Sequence, residues 1–187
     1  MTDKERIYAE LLALRCRRGD REALAELVEH WERRLLYFVR RLVDDEQEAW
    51  DVLQETWLGV FRGIKSLNDG ACLSTWLYRV ARNNCVNHLR KKMKLREMES
   101  GNIPVDDFSE EVSDHAFEDA DLVHRSLDKL PLLQREVITL FFLEDMSIAE
   151  MSSVLDVPPG TVKSRLFTAK RTLRKIVERG AHYEQRP

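Results

Sequence analysis

The sequence predicts an all-α protein made of two small helical domains joined by a flexible acidic linker. Only seven glycines and five prolines occur among its 187 residues. Apolar residues recur every three or four positions through long stretches rich in Leu, Ala, Glu and Arg, which is the periodicity of helices. Between 97 and 121 this spacing stops, and Asp and Glu dominate. We therefore expect one domain at 1–95, the linker at 96–121 and a second domain at 122–187.

Composition and charge indicate a protein that works in water inside the cell. Hydrophobic residues make up 43% of the chain and charged residues 34%, with a formal net charge of -3, a balance typical of soluble globular proteins. Three cysteines without a CxxC pair fit a reducing compartment. The N-terminus is charged throughout, and no apolar stretch approaches the length that spans a membrane. We therefore expect a cytoplasmic location and no membrane insertion.

The sequence predicts no metal, no cofactor and no catalytic residues. Cys85 and His88 lie one helical turn apart, but two ligands do not make a metal site. A phosphate-cradling glycine loop and a nucleophile paired with a base are both missing from the sequence. We therefore expect that the protein is not an enzyme.

The early helices of the first domain have a pattern that indicates packing. Between 21 and 43 the apolar residues recur at core spacing. These residues are Leu24, Leu27, Val28, Trp31, Leu35 and Phe38.

The next helix, in DDEQEAWDVLQETWLGVFRGI, has a polar outward face that includes one leucine. The inward face consists of Ala49, Leu53, Val60 and Ile64, with Thr56 and Trp57 at its edges. The outward face consists of Asp51, Gln54, Glu55, Leu58 and Arg62. A leucine exposed among polar groups is typical of a surface that a partner protein buries. The pattern alone also fits one of the scattered apolar residues found on every protein surface.

Aromatic residues alternate with cations and amides between 68 and 92. A loop with Asn68, Asp69 and Gly70 leads into a helix that we expect to be capped near Ser74. The helix carries Trp76, Tyr78, Arg79, Arg82, Asn83, Asn87, Arg90 and Lys91. Rings stack on unpaired bases, amides read base edges and cations hold phosphates, so this mixture indicates single-stranded nucleic acid. An ordinary core uses the same residue types, and four positions are expected to pack inward: Trp76, Leu77, Val80 and Ala81.

The second domain shows the signals of a helix-turn-helix. Its first helix has apolar residues at helical spacing, namely Leu127, Leu130, Val137, Leu140 and Phe141, and Pro131 suits the first turn of a helix. The sequence SIAE at 147–150 has the form of a capping box, which predicts a short helix from Ile148 to about Leu155. Pro158, Pro159 and Gly160 interrupt the pattern, and the next helix is expected to begin near Thr161.

The last helix separates an apolar stripe from a basic, hydroxyl-bearing face. The stripe consists of Val162, Leu166, Ala169, Leu173, Ile176 and Val177. Ser164, Thr168, Arg171 and Lys175 centre on the opposite side, flanked by Thr161, Arg165 and Phe167. In a helix-turn-helix the second helix enters the major groove by its N-terminal residues. The sequence therefore predicts duplex DNA binding, against the alternative of an amphipathic surface helix whose cations are only solvated.

Three stretches in this order resemble bacterial RNA polymerase sigma factors of the extracytoplasmic-function (ECF) class, in the sigma-70 superfamily. They are QETWLGVFR, STWLYRVARNNCVNHLRKK and LPLLQREVITLFFLEDMSIAEMSSVLDVPPGTVKSRL. The resemblance implies two helical domains, a region-two bundle and a region-four helix-turn-helix, that direct promoter-specific transcription initiation. The implied partners are core RNA polymerase through its beta-prime clamp helices and beta flap, promoter DNA in duplex and single-stranded form, and an anti-sigma protein.

The same resemblance assigns roles to individual residues. The residues implied to dock on the clamp helices are Asp51, Gln54, Glu55, Leu58 and Arg62. The loop from Leu67 to Leu73 matches the one that captures a flipped base of the minus-ten element. The implied minus-ten residues are Asn68, Asp69, Leu73, Trp76, Tyr78, Arg79, Arg82, Asn83, Asn87 and Arg90. Those implied to face the minus-thirty-five element are Thr161, Lys163, Ser164, Arg165, Phe167, Thr168 and Arg171. Many relatives have Asp at the position of Asn87 and Arg at that of Thr168, so the usual base preferences are not carried over.

Two other classes of protein fit parts of the sequence. A stand-alone transcriptional regulator would use the helix-turn-helix as a dimer on duplex DNA, without polymerase, and would have no use for the segment 68–92. A nucleic-acid enzyme or adaptor with an appended DNA-binding domain would require a catalytic constellation that the sequence lacks.

Overall fold

The computed structural model describes residues 3–100 and 125–184. Before residue 101 the helices are α1 (Asp3–Arg17), α2 (Arg21–Arg40), α3 (Glu46–Gly63) and α4 (Leu73–Ser100), with 3-10 turns at Ile64–Ser66 and Gly70–Cys72. After a helical turn at 125–128 come α5 (Leu132–Ile138), a π-helix (Thr139–Leu143), α6 (Ile148–Leu155) and α7 (Pro159–Glu184). No residue in these described ranges lies in a strand, and the all-α prediction is confirmed.

The chain divides into two compact units near Gly101, as expected for two helical domains. The last helix of the first unit is longer than the sequence suggested, because α4 continues to Ser100 and so includes the start of the expected linker at 96. Its final turns are rich in Lys, Leu, Arg, Glu and Met, which are good helix formers. The rest of the expected linker, from 101 to 121, lies outside the described residues.

Aromatic packing between α2 and α4 forms the centre of the first unit. Trp31 and Phe38 of α2 and Tyr78 of α4 are fully buried. The Tyr78 ring lies edge-on to both partners, with centroid distances of 6.1 Å to Trp31 and 5.3 Å to Phe38. Such edge-to-face pairs add to the stabilisation from burial itself. The expected core positions Leu27 and Leu35 are also buried.

Local capping signals fix where the helices of the first unit begin. Asp20 accepts hydrogen bonds from the backbone amides of Glu22 and Ala23, at 3.0 and 3.1 Å. Asp45 does the same for the amide of Glu48 at 2.8 Å. These contacts satisfy amides that a helix start leaves unpaired. Gly19 has φ +82°, a conformation that glycine adopts without strain, and this lets the chain reverse between α1 and α2.

The second unit confirms the predicted helix-turn-helix. Ser147 Oγ accepts from the Glu150 amide at 3.2 Å, and Glu150 Oε2 accepts from the Ser147 amide at 2.8 Å, which is the predicted capping box. The following helix spans Ile148–Leu155 as expected. The next one starts at Pro159, slightly before the expected Thr161, because proline is well suited to a first helical position.

The apolar stripes of α5 and α7 face each other in the second unit. Val137 of α5 and Val162 and Ala169 of α7 are fully buried. Leu140 is buried in the π-helix that continues α5, a wider helical turn that the sequence did not predict. Pro131 stands at the position just before α5 rather than inside its first turn. This packing holds α7 with its opposite face turned to solvent.

Within 3–100 and 125–184, none of the helices combines the length and hydropathy needed to cross a membrane.

Candidate functional site

The outward face of α3 is exposed as predicted. All five of its residues are exposed, namely Asp51, Gln54, Glu55, Leu58 and Arg62, and we call them the docking face. Leu58 has 52% of its surface accessible. The Arg62 Nε donates to the backbone oxygen of Leu58 at 3.0 Å, so the guanidinium lies back along the helix beside the leucine. An apolar side chain framed by charged groups is suited to a protein contact.

Two aromatic residues beside the docking face were missed by the sequence interpretation. Trp50 and Phe61 are among the large exposed hydrophobic residues of the first unit. The Phe61 ring stacks on Trp57 with a centroid distance of 6.0 Å and an interplanar angle of 24°. The signal was present in the sequence, because 50, 57 and 61 recur at helical steps along one edge of α3. Leu58 is therefore part of a larger apolar surface, which argues against an isolated exposed residue.

An open groove of about 400 Å³ lies between α3 and α4. Asp51 and Glu55 line its α3 wall, and its α4 wall carries Asn87 and Arg90 among other residues. The groove therefore connects the docking face with the polar surface of α4. Its two walls also differ in charge, since the α4 wall includes the cations Lys91 and Lys94. The α4 wall consists of Asn84, Asn87, His88, Arg90, Lys91 and Lys94.

A carboxylate beside this groove ties the two helices together. Glu48 Oε2 of α3 accepts from Lys92 Nζ of α4 at 2.8 Å and lies 3.0 Å from His88 Nε2. The hydrogen bond from Lys92 is the main cause that lowers the pKa of Glu48 below its ordinary value, with a smaller contribution from His88, while partial burial opposes the shift. The ionised carboxylate therefore stabilises the α3–α4 pairing.

The polar residues of α4 form a continuous ridge. Arg79, Asn83, Asn87 and Arg90 are exposed and follow steps of three and four, so they lie on one face. Trp76 continues this face and is half-buried. Its ring packs closely over Gly63, where an added Cβ would lie 3.0 Å from the Trp76 ring. We call these five residues the α4 ridge. Arg82 is half-buried beside it, and Leu77 and Ala81 pack inward as expected.

Two residues assigned to minus-ten DNA are core residues, and for them the assignment is wrong. Leu73 and Tyr78 both have 0% of their surface accessible. The Tyr78 ring is enclosed by Trp31 and Phe38, so no base can stack on it without unfolding the core. Both side chains instead hold the start of α4 in place.

The loop before α4 presents polar residues to solvent. Asn68 and Asp69 are exposed. Asp69 Oδ1 accepts from the Ala71 amide at 2.9 Å and so caps the Gly70–Cys72 turn. The expected cap near Ser74 is therefore wrong, because the chain is already helical at Leu73 and the turn before it is capped by Asp69.

The predicted DNA-facing side of α7 is solvent-accessible along its first four turns. Lys163, Ser164, Phe167, Thr168 and Arg171 are exposed, and Thr161 and Arg165 are half-buried; we call these seven residues the reading face. Phe167 is 70% accessible although it is aromatic. Ser164 Oγ donates to the Thr161 backbone oxygen at 2.9 Å. Cations, hydroxyls and one exposed ring on a helix after a tight turn suit the major groove.

Three exposed apolar residues of the second unit were also missed. Phe142 and Leu143 are exposed next to each other in sequence, and Leu133 of α5 is exposed as well; we call these three residues the region-four patch. Lys170 Nζ of α7 lies 4.4 Å from the ring centroid of Phe141 and 5.0 Å from that of Phe142, a cation–π geometry. The signal in the sequence is the run FFL at 141–143, three consecutive large apolar residues that one helix face cannot bury.

Cys85 and His88 have ordinary structural surroundings. Cys85 is buried and the His88 ring contacts Glu48. Among the described residues, no group of three or more His, Cys, Asp or Glu side chains is placed to hold a metal ion.

Comparison with known proteins gives consistent matches over both units. Residues 27–95 match the family model "Sigma-70 region 2", and residues 120–173 match "Sigma-70, region 4". The "RNA polymerase sigma-H factor" of Pseudomonas aeruginosa is 31% identical over 180 residues, which cover 89% of this chain and 92% of the relative. The "ECF RNA polymerase sigma factor SigW" of Bacillus subtilis is 30% identical over 170 residues, which cover 85% and 91%.

A solved structure shares the fold. The sigma factor RpoE of Bartonella quintana, in a co-crystal with the anti-sigma factor NepR, aligns with a TM-score of 0.68 at 21% identity and covers 82% of this chain and 96% of its own. At that identity the likeness concerns the fold.

Proposed function

We propose roles for the surfaces described above from the premise that this chain belongs to the ECF class of RNA polymerase sigma factors. A member of this family binds core RNA polymerase and directs promoter-specific transcription initiation, and this is the function of the chain. The assignments of residues and polymerase subunits that follow are our proposals.

The docking face binds the clamp helices of the beta-prime subunit. Leu58 supplies an exposed apolar centre, and Trp50 and Phe61 extend it along one edge. Charged residues surround it, in the arrangement of an apolar core and polar rim that protein interfaces use. Exposed aromatic residues are frequent anchors of such interfaces.

The α4 ridge and the loop at Asn68 and Asp69 bind the unpaired strand of the minus-ten element. The exposed Asn83 and Asn87 can hydrogen-bond base edges, and Arg79 and Arg90 can neutralise phosphates. The accessible part of Trp76 offers a surface on which a base can stack. Because these contacts require bases that have left the duplex, they lower the free energy of the open promoter.

The reading face binds the duplex minus-thirty-five element. Its cations and hydroxyls reach phosphates and base edges from the major groove. Phe167 is exposed and apolar, and it can contact thymine methyl groups there. No bond is made or broken in either of the two DNA-binding steps, so we propose that the chain has no enzymatic activity of its own.

The region-four patch binds the beta flap, and an anti-sigma protein competes for one or more of these protein-binding surfaces. Leu133, Phe142 and Leu143 are exposed, and the Lys170 cation lies over the Phe142 ring, which favours a partner with apolar residues and a nearby acidic group. The Bartonella sigma factor with the same fold was solved with an anti-sigma factor bound. A partner of that kind would keep the free factor from polymerase.

One observation carries the proposal: the two units expose different kinds of side chain. Amides, cations and a partly accessible ring form the α4 ridge, whereas hydroxyls, cations and the exposed Phe167 form the reading face. The first set suits unpaired bases and the second suits the edges of paired ones. A stand-alone regulator has no use for the first set.

Replacement of Leu58 by Ser, alone and together with Glu55→Ala, tests the docking face. We expect binding of core polymerase to weaken by about 2 kcal/mol or more for a residue at the centre of an interface. The dissociation constant can be measured with labelled full chain and purified core polymerase. The matched control is Leu11→Ser, because Leu11 is equally exposed but lies on α1. Unchanged binding by both docking-face variants would remove this assignment.

A further inference from the structure

The first helix packs against the loop that we assign to base capture. α1 contacts both 3-10 turns, Ile64–Ser66 and Gly70–Cys72, which bracket the loop residues Leu67, Asn68 and Asp69. The match to sigma region two begins only at residue 27, so α1 lies before it. The role of α1 must therefore be inferred from its contacts.

The closest of these contacts is made by backbone. A Cβ atom added at Gly70 would lie 3.1 Å from the backbone oxygen of Glu10 and 3.2 Å from its Cα, with the Ala13 Cβ at 3.5 Å. A Cβ at Gly70 would be crowded by α1, since the two shortest of these distances are tighter than ordinary Cβ contacts, whereas the φ of Gly70 is not in the left-handed region. Because the obstacle is backbone in the middle of a helix, it cannot rotate away as a side chain could. The turn thus rests directly on the surface of α1.

A second contact reaches the loop itself. Arg17 Nη1 at the end of α1 donates to the backbone oxygen of Asn68 at 3.4 Å, a long hydrogen bond that contributes less than an ideal one. It restrains the carbonyl side of Asn68, whose side chain remains exposed. Leu67 at the start of the loop and Leu73 just after the Gly70–Cys72 turn are buried. The loop backbone is therefore restrained while its polar side chains face solvent.

α1 is itself tied to α2 and can serve as a support. The Arg15 guanidinium donates to Asp20 at 2.9 Å and to Glu26 at 2.7 Å, and the Tyr8 hydroxyl donates to Glu26 at 2.5 Å. The hydrogen bonds from Tyr8 and Arg15 lower the pKa of the Glu26 carboxyl from its ordinary value. Ala9, Leu12, Ala13 and Cys16 complete the attachment through burial. The helix that contacts the loop is thus packed on the core of the first unit.

We propose that α1 is a positioning element for minus-ten recognition: the backbone at Glu10 supports Gly70, and Arg17 holds the Asn68 carbonyl, so that the loop is preorganised to receive an unstacked base. This inference rests on the proposed function of the loop. Preorganisation favours binding because the loop does not have to be ordered when the base arrives. Neither Arg17 nor Gly70 needs to touch DNA, and Arg17 acts through the backbone of Asn68.

The test uses holoenzyme reconstituted from the full chain and core polymerase. A promoter is first selected by wild-type holoenzyme from DNA with randomised upstream and downstream elements. Open-complex formation is then measured on this promoter and on versions with single minus-ten base changes, for Gly70→Ala, Arg17→Ala and Arg17→Lys. We expect Gly70→Ala and Arg17→Ala to lose about three- to ten-fold in discrimination between the selected base and its replacements. Arg17→Lys should recover part of this loss, because lysine can still donate to the carbonyl.

Controls separate positioning from loss of stability and from failure of the loop assignment. Arg18→Ala removes an exposed arginine next to Arg17 and should leave discrimination unchanged, and polymerase binding should be unaffected in every variant. If Gly70→Ala does not fold, the Arg17 variants still test whether α1 positions the loop. The inference is wrong, with the loop assignment intact, if Asn68→Ala lowers discrimination but Arg17→Ala and Gly70→Ala behave as Arg18→Ala does. If Asn68→Ala has no effect either, the loop assignment fails and the inference fails with it.

Discussion

Arg165 is the residue of the reading face with the most restricted surroundings. It is half-buried, and its Nη1 atom is buried, whereas Lys163 and Ser164 just before it are exposed. A guanidinium that is already partly buried loses less side-chain freedom when it binds than a freely moving one. At the N-terminal part of α7 it is also placed where a recognition helix contacts bases. Arg165 is therefore our candidate for a specific base contact.

Replacement of Arg165 by Ala should weaken recognition of the upstream element selectively. A good bidentate arginine contact with guanine is worth about 1 to 3 kcal/mol of discrimination. Holoenzyme affinity for the selected promoter and for versions with single upstream base changes provides the measurement. Arg174→Ala is the matched control, because Arg174 lies on the same helix but is exposed and paired with Glu178. An equal loss on every DNA sequence would instead make Arg165 a phosphate contact.

Other single residues show what sequence periodicity can and cannot determine. It placed Leu58, Asn83 and Asn87 correctly on exposed faces, because a helix face follows from spacing alone. It did not separate Tyr78 from these, since the burial of Tyr78 is due to Trp31 and Phe38 of α2. Whether a residue at the boundary of a helix face is buried depends on its neighbours in space. The spacing within one helix carries no information about those neighbours.

At the scale of the elements, the pairing of α3 with α4 positions the two surfaces of the first unit to which we propose functions. Besides Glu48, the Asn84 side-chain amide donates to Thr56 Oγ1 at 3.2 Å, and the Thr56 hydroxyl donates to the Val52 backbone oxygen at 2.8 Å. The contact of Asn84 with Thr56 joins α3 and α4 through faces that are otherwise apolar, so it favours one register of the two helices. The docking face and the α4 ridge keep their relative positions as a result.

Glu48 makes this pairing dependent on pH. Because the pKa of Glu48 is lowered in the folded state, its contribution is complete above its ordinary pKa of 4.5 and is lost as the pH falls through the lowered value. With about a third of the side chain accessible, we expect Glu48→Gln to reduce the free energy of unfolding by about 0.5 to 1 kcal/mol at neutral pH. The difference from wild type should shrink in acid.

Urea unfolding at neutral and acidic pH measures this difference. Glu55→Gln is the control on the same helix, since Glu55 is exposed on the docking face, and it should change stability little at either pH. A Glu48→Gln effect that is the same at both pH values would show that the carboxylate charge is not responsible.

The capping box should contribute to the stability of the helix-turn-helix. Replacement of Ser147 by Ala should lower the free energy of unfolding of the second unit by about 1 kcal/mol, a typical value for the loss of an N-cap. Because Ser147 and Glu150 satisfy each other's amides, the Ser147→Ala and Glu150→Ala effects should not be additive. Thermal unfolding of the two single variants and the double variant tests this. Strict additivity would mean that the two contacts do not cooperate.

The elements that the sequence predicted well are those specified by neighbouring residues. The capping box and the Ile148–Leu155 helix were predicted because their signals are a few residues apart. The π-helix at Thr139–Leu143 and the contact of Gly70 with α1 were not predicted. The contact of Gly70 depends on packing between segments distant in sequence, which local spacing does not report.

At the scale of the whole molecule, the two units divide promoter recognition by the state of the DNA. The second unit offers a helix suited to paired bases, and the first offers a ridge suited to bases that have left the stack. Each surface alone fits several classes of protein, whereas their combination in one chain fits a factor that locates and opens promoters. The net charge of -3 conceals this, because ten acidic residues between 97 and 121 offset the basic faces.

The most direct test is transcription by core RNA polymerase with the purified chain on the selected promoter. We expect specific initiation only when both are present, a loss when the reading face is altered, and a loss with Asn83→Ala and Asn87→Ala that is smaller on a template already unpaired at the minus-ten element. The account would be contradicted if the chain formed no stable complex with core polymerase while binding duplex DNA tightly by itself.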